Sequence, residues 1–231
     1  MKSTKFNLLK KINEKSKTLA YKSFRKMNSI LASINILILK KQIGNQDIWN
    51  IYTHTTEEER VEIYYLSRGL CCRCVVVEIG SYLGASTCFL AEGCSHKDGR
   101  VYAVDTWENQ AMSEGLRDTY QEFLQNTKDY KNNITPIRSL SVDASQNFSQ
   151  PVDLLFVDGD HSYEGVMADL KAWLPKLKPK AWLVLHDIGW AEGVNQAIRE
   201  VVEPISCSKP IILPNLYAVR VSAKQAIENK K

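Results

Sequence analysis

The segment Val75–Thr87, VVVEIGSYLGAST, constrains the fold of this chain more than any other. Three consecutive valines favour a strand buried on both faces. Gly80 and Gly84 let the backbone turn sharply and approach another group closely, and Ala85–Ala91 reads as a helix opening from that turn. The unpaired N–H groups of such a helix's first turn, at the positive end of its dipole, suit an anionic or polar ligand group. Glu78 at the strand end adds a carboxylate for a cationic or donor group. Taken alone, the segment is equally compatible with a plain strand-to-helix turn.

Downstream, short apolar runs alternate with helical stretches. Val101–Val104 reads as a second strand ending in Asp105, and Ile134–Ile137 as a third. Pro151–Val157 is a fourth, ending in Asp158-Gly159-Asp160-His161, and Ala181–Leu185 a fifth, ending in His186-Asp187. Thr56 and Glu59 form a capping box that starts a helix stopping near Gly69. Further helices are expected over Leu116–Tyr130, Glu164–Leu174 and Val194–Val202, with turns at Ser139–Ala144 and Lys178-Pro179-Lys180. Ile211–Leu213 and Leu216–Val221, joined by Pro214-Asn215, read as a hairpin.

This order predicts an α/β fold: a doubly wound, Rossmann-like sheet, mostly parallel with an antiparallel final strand, and helices on both faces. Ligands of such sheets bind in the crevice outside the carboxyl ends of the strands. Glu78, Asp105, Ser141, Asp158, His161, His186 and Asp187 all fall at such ends. Asp105, at the strand end following the glycine turn, occupies the position that hydrogen-bonds ribose hydroxyls in nucleotide-binding folds.

Charge separates an N-terminal extension, residues 1–45, from a domain over 46–231. Met1 to Lys41 holds ten Lys and one Arg against Glu14 alone, so this arm carries about +10, and the remainder about −6, of a net +4. Leu9, Ile12, Leu19, Met27, Ile30, Leu31, Ile34 and Ile38 recur between the lysines near helical spacing, a basic amphipathic pattern. That pattern serves either peripheral attachment to an anionic membrane or acidic partner, or packing on the domain or on a second copy. No apolar run is long enough to span a bilayer and no signal peptide is evident, so the expected location is cytoplasmic. No basic stripe interleaved with aromatics follows, which argues against a nucleic-acid partner. Of six cysteines, Cys71, Cys72 and Cys74 are too closely spaced and lack the histidines for a zinc site; small hydrophobes in a reducing compartment are expected.

The segments VVVEIGSYLGAST, VYAVDTW, LLFVDGDHSYEGVMADLKAW and WLVLHDIG, in that order and spacing, resemble the class I S-adenosylmethionine-dependent methyltransferases, and among them the small-molecule O-methyltransferases. The resemblance runs from about Thr55 to Val221. It implies that Glu78, Gly80, Ser81 and Gly84 surround the methionine part of S-adenosylmethionine and that Asp105 takes the ribose hydroxyls. Thr106 or Trp107 would lie beside the adenine, with Ser141 at its edge, although Leu140 stands where the family's third turn carries an acid. His161, three residues after Asp158, occupies the place of a catalytic Lys in the catechol-type enzymes and is the candidate general base. Asp158 and Asp187 are candidate ligands for Mg²⁺, with Ile188 in place of an expected Asn, and Trp190 is a candidate wall of the acceptor pocket. The implied acceptor is a hydroxyl of a sugar, polyketide or similar small molecule. Two alternatives remain at this stage: a catalytically silent protein of the same fold working through its basic arm, and a nicotinamide enzyme, for which Gly80-x-x-x-Gly84 fits less well than the tighter dinucleotide turn.

Overall fold

A computed structural model of the chain describes residues 30–108 and 115–222. The chain divides into two compact units, Met1–Gly44 and Asn45–Lys231. In the first, residues 30–42 form a helix, α1; the amphipathic pattern read over residues 1–29 lies outside the described residues.

The second unit is built on seven strands: β1 (Val75–Ile79), β2 (Arg100–Asp105), β3 (Ile134–Arg138), β4 (Val152–Val157), β5 (Leu177–His186), β6 (Ile211–Ile212) and β7 (Leu216–Val221). Their order across the sheet is β3-β2-β1-β4-β5-β7-β6. The first five are parallel; β7 runs antiparallel to β5, and β6 antiparallel to β7. The predicted sheet is therefore the observed one. Strand order reverses between β1 and β4, and the crevice of a doubly wound sheet opens at that point.

Side chains alternate between the two faces of a strand. Val77, Ile79, Leu155, Val157, Leu183 and Leu185 share a core with helices α6 (Tyr163–Trp173) and α7 (Glu192–Ala197). The opposite set carries Glu78, Phe156 and His186 towards α2 (Glu57–Arg68) and α3 (Ala85–Ser95), where Glu78 meets Thr87 and His186 meets Glu59. Polar residues at the carboxyl ends of β1, β4 and β5 thus share the α2 side of the sheet.

Local readings differ from the structure at four places. The helix expected from Leu116 begins only at Tyr120 and ends at Asn126 as α4, followed by a 3₁₀ turn, Lys128–Tyr130; the Asp118 carboxylate accepts from Tyr120 N–H at 2.9 Å and sets that start. The turn expected at Ser139–Ala144 is helix α5 (Ser141–Asn147), entered from an extended Leu140. Lys178-Pro179-Lys180 lies inside β5, where the register with β4 shifts between Val152 and Leu154 and Lys180 has φ 63°; an irregularity of this kind tolerates Pro in a strand. The helix expected over Val194–Val202 ends at Ala197 and continues as a π turn, Ile198–Val202. Among the cysteines, Cys74, Cys88 and Cys94 are buried as expected of small hydrophobes, whereas Cys71, Cys72 and Cys207 stand exposed.

Candidate functional site

The glycine turn after β1 is held from three sides. Gly80 has φ +83° and lies so close to β4 that an added Cβ would sit 2.0 Å from the Asp158 carbonyl oxygen. Its N–H donates to Val104 O at 2.9 Å, and Asp158 N–H donates to Ile79 O at 2.9 Å, binding the ends of β1, β2 and β4 together. Asp105 closes the turn from β2: Oδ2 accepts from Tyr82 N–H at 2.8 Å and Oδ1 from Trp107 N–H at 2.6 Å. Gly84, at φ +88°, caps α3, and a Cβ there would strike the Thr127 side chain at 2.6 Å.

Glu78 is completely buried and accepts a hydrogen bond from Thr87 Oγ1. Burial pushes its carboxyl up to about 7, against the neighbouring hydroxyls of Ser86, Thr87 and Ser81, which favour the ionised form. Ser81 is likewise buried in the turn.

Trp107 and Thr106 part company. Trp107 is 1% exposed, stacks on Tyr120 and Phe123, and donates its indole N–H to Tyr82 O at 2.9 Å, so the ring props the glycine turn from within. Thr106 is the half-buried member of the pair. Ser141 Oγ accepts from Trp173 Nε1 at 2.9 Å and bonds Asp169, which ties the first residue of α5 to α6.

The second cluster lies where β4 and β5 end. His161 Nε2 is 2.7 Å from Asp187 Oδ2. Asp187 Oδ1 accepts from Trp190 Nε1 at 2.8 Å and Asn215 Nδ2 at 2.9 Å, and the Trp190 ring lies against the His161 ring at 4.9 Å between centroids. Burial would raise the Asp187 carboxyl, but His186, Asn215 and Trp190 hold it down at about 2. Asp187 also has φ 64°, a left-handed conformation that Asp adopts more readily than most non-glycine residues.

Beneath this pair sits His186, 2% exposed. Its Nε2 is 3.3 Å from Glu59 Oε2, and its Nδ1 is 3.1 Å from Asp158 Oδ1 and 3.2 Å from Asp187 Oδ1. Burial disfavours charge on the ring, yet the three surrounding carboxylates, Asp158 foremost, outweigh it and push the imidazole up to about 12. Asp158 itself is raised by burial despite facing His186.

The donors at this point can be tested against a divalent ion. Asp158, His161 and Asp187 offer ligand atoms within 4.8 Å of one another. The buried Nδ1 of His186, aimed between Asp158 and Asp187, closes no hydrogen bond to either. Its separations from their oxygens fall between the ligand–ligand edges of octahedral and tetrahedral sites, about 3.0 and about 3.4 Å for bonds of about 2.1 Å. Behind it, Glu59 takes the place of the carboxylate that commonly orients a ligating imidazole through its other nitrogen. Asp158, Asp187 and one imidazole, His161 or a deprotonated His186, are therefore the donors that could hold an ion, and a nitrogen donor suits Mn²⁺ or Zn²⁺ better than Mg²⁺.

Sequence reasoning missed Glu59, which it read only as a cap, and an aromatic group at the glycine turn. Tyr52, His54 and Tyr82 have ring centroids 5.5 to 6.3 Å apart, and Tyr82 belongs to the turn itself. The stretch holding Tyr52 and His54 reads as a loose connector; two aromatic rings within the four positions before a capping box were the available signal.

Comparison with known proteins bears on the fold that carries these clusters. Residues 77–188, from β1 to just beyond β5, match the family model of a methyltransferase domain. An uncharacterised protein, y4gI, of Sinorhizobium fredii is 29% identical over 116 residues. The chain spans 13% and 61% of the lengths of two curated relatives that it matches. In fold it is similar to the S-adenosylhomocysteine-bound methyltransferase PaMTH1 of Podospora anserina (TM-score 0.57, 12% identity, 83% of this chain and 87% of that one). It is similar also to the O-methyltransferase TomG of Streptomyces achromogenes, in complex with S-adenosylmethionine (TM-score 0.54, 17% identity, 73% and 81% covered). The second unit thus has the Rossmann-like fold of S-adenosylmethionine-dependent methyltransferases.

Proposed function

We propose that this protein transfers the methyl group of S-adenosylmethionine to a hydroxyl oxygen of a small molecule such as a sugar or polyketide, with His161 as the general base. The observation that carries this reading is the Asp187–His161 pair, 2.7 Å apart just beyond β5 and β4, at the same end of the sheet as the glycine turn that follows β1. The O-methyltransferase TomG, described as involved in tomaymycin synthesis, supports the choice of oxygen.

The sulfonium is already a good leaving group, so the protein must align acceptor oxygen, methyl and sulfur, and accept a proton. Gly80, Ser81 and Gly84 with Glu78 form the methionine side of the crevice, and Asp105, Thr106 and Ser141 the nucleoside side. The acceptor oxygen attacks the methyl carbon, the carbon–sulfur bond breaks, and its electron pair stays on sulfur. Asp187 Oδ2 holds the His161 Nε2–H, which leaves Nδ1 as the lone pair that takes the hydroxyl proton, and the same carboxylate stabilises the imidazolium that forms. Trp190 against the ring fixes its orientation and walls the acceptor. A divalent ion held by Asp158, His186 and Asp187 would, when bound, lower the pKa of the acceptor hydroxyl.

Calorimetric titration with S-adenosylmethionine and with NAD tests the cofactor; binding of NAD alone would overturn the proposal. The His161→Gln variant should keep the wild-type affinity for S-adenosylmethionine and lose about 10²–10⁴-fold in kcat, measured as S-adenosylhomocysteine release with hydroxylated acceptors. Unchanged turnover would remove His161 from the chemistry.

A further inference from the structure

Twelve large apolar side chains are exposed among the described residues, and five of them, Ile30, Leu31, Ile34, Leu37 and Ile38, fall within nine consecutive positions of α1 at 42 to 60% exposure. At about 100° per residue they occupy one arc of about 120°, a continuous ridge along one side of the helix. Lys41 ends the same arc, and Lys40 stands beside it. The segment from Met1 to Lys41 holds ten Lys and one Arg against one Glu.

We propose that α1 and the basic sequence around it dock this chain on an anionic lipid surface, with the Ile30–Ile38 ridge lying in the boundary between headgroups and acyl chains. Exposed apolar side chains in a contiguous stripe mark an interaction face, and the charge on this segment selects its partner. A second copy would bring two arms of about +10 within a screening length of one another, and a ridge of nine residues is short for the roughly 800 Å² per partner of a stable dimer. Nucleic acid would satisfy the lysines but leave the ridge in water. An anionic bilayer takes both: the ridge is buried, the lysines reach phosphates along their apolar stems, and each adds about fivefold to the partition. The helix lies on the surface rather than across it, since no helix among the described residues is long and apolar enough to cross a membrane.

Flotation of the full chain with vesicles of phosphatidylcholine, with and without phosphatidylglycerol, tests this. The protein should float with the anionic vesicles only, and added salt should release it. A Leu31→Glu, Ile34→Glu, Leu37→Glu triple variant should abolish flotation with no change in the thermal melt. Should the triple variant melt early, the single Leu37→Glu, at the most exposed site, should still weaken binding about tenfold or more. Failure of the wild type to float, flotation indifferent to these substitutions, or a dimer in sedimentation equilibrium that the triple variant dissolves would each overturn the proposal, the last assigning the ridge to a second copy.

Discussion

Glu59 joins a helix start to the candidate site, and its removal should cost far more than a cap is worth. Its Oε2 accepts from Thr56 N–H at 2.8 Å, while Thr56 Oγ1 accepts from Glu59 N–H at 3.3 Å, completing the capping box. The same Oε2 faces Nε2 of the buried His186 at 3.3 Å, both side chains being 1% exposed. Thr56→Ala removes half of the box and nothing from His186, so it should cost about 1 kcal/mol. Glu59→Ala removes the other half and also strips one partner from a buried charged ring, a loss of about 3–5 kcal/mol. At about 2–4 °C per kcal/mol for a domain of this size, the two variants should melt about 2–4 °C and about 6–20 °C below the wild type. Glu59→Gln, which keeps an acceptor for Thr56 N–H without the charge, should fall between them. Urea unfolding and thermal melts measure all three. If Glu59→Ala costs no more than Thr56→Ala, the contact with His186 contributes nothing and the linkage of α2 to the site is structural coincidence.

Two further outcomes follow from buried ionisable groups. Burial raises the Glu78 carboxyl from 4.5 to about 7, so folding favours its protonated form; that stability is present below about pH 4.5 and is lost as pH rises through 7, a change of about 3 kcal/mol. Urea midpoints across this window should fall for the wild type and flatten for Glu78→Gln, and parallel curves would show that Glu78 titrates as an ordinary carboxyl. Mn²⁺ titrated into the protein should displace about one proton per ion, because His186 must shed its Nδ1 proton to become a ligand. Binding heats that do not vary with the ionisation enthalpy of the buffer would remove His186 from the ligand set.

The sheet was legible because its evidence is local and repeated. Each of β1, β2, β4 and β5 closes on an apolar run with an acid or a His at, or next to, its last residue, and the alternation with helices leaves few topologies. The boundaries that differ depend on details the pattern does not carry: Asp118 moves the start of α4 by bonding Tyr120 N–H, and a backbone register shift against β4 carries β5 through Pro179. Trp107 shows the limit of reasoning by position. Its place after Asp105 points to a cofactor face, but Phe123 and Tyr120 of α4 offer the ring a dry partner, and a large indole with its N–H satisfied by Tyr82 O is more stable inside than at a rim.

Glu59 and His186 were both visible in the sequence, one as a cap and one as a strand end, yet nothing local relates residues 127 positions apart. The link follows from parity. A strand directs alternate side chains to one face, so once Phe156 and Val184 face α2, Asp158 and His186 must do so too, and whatever begins α2 then meets them. A capping box places its Glu at the third helical position with the carboxylate turned back towards the N-terminus. On a helix whose start lies over the ends of β4 and β5, that direction is into the site. The residue chosen to start the helix is thereby the residue available to orient His186, and one carboxylate serves the fold and the chemistry together.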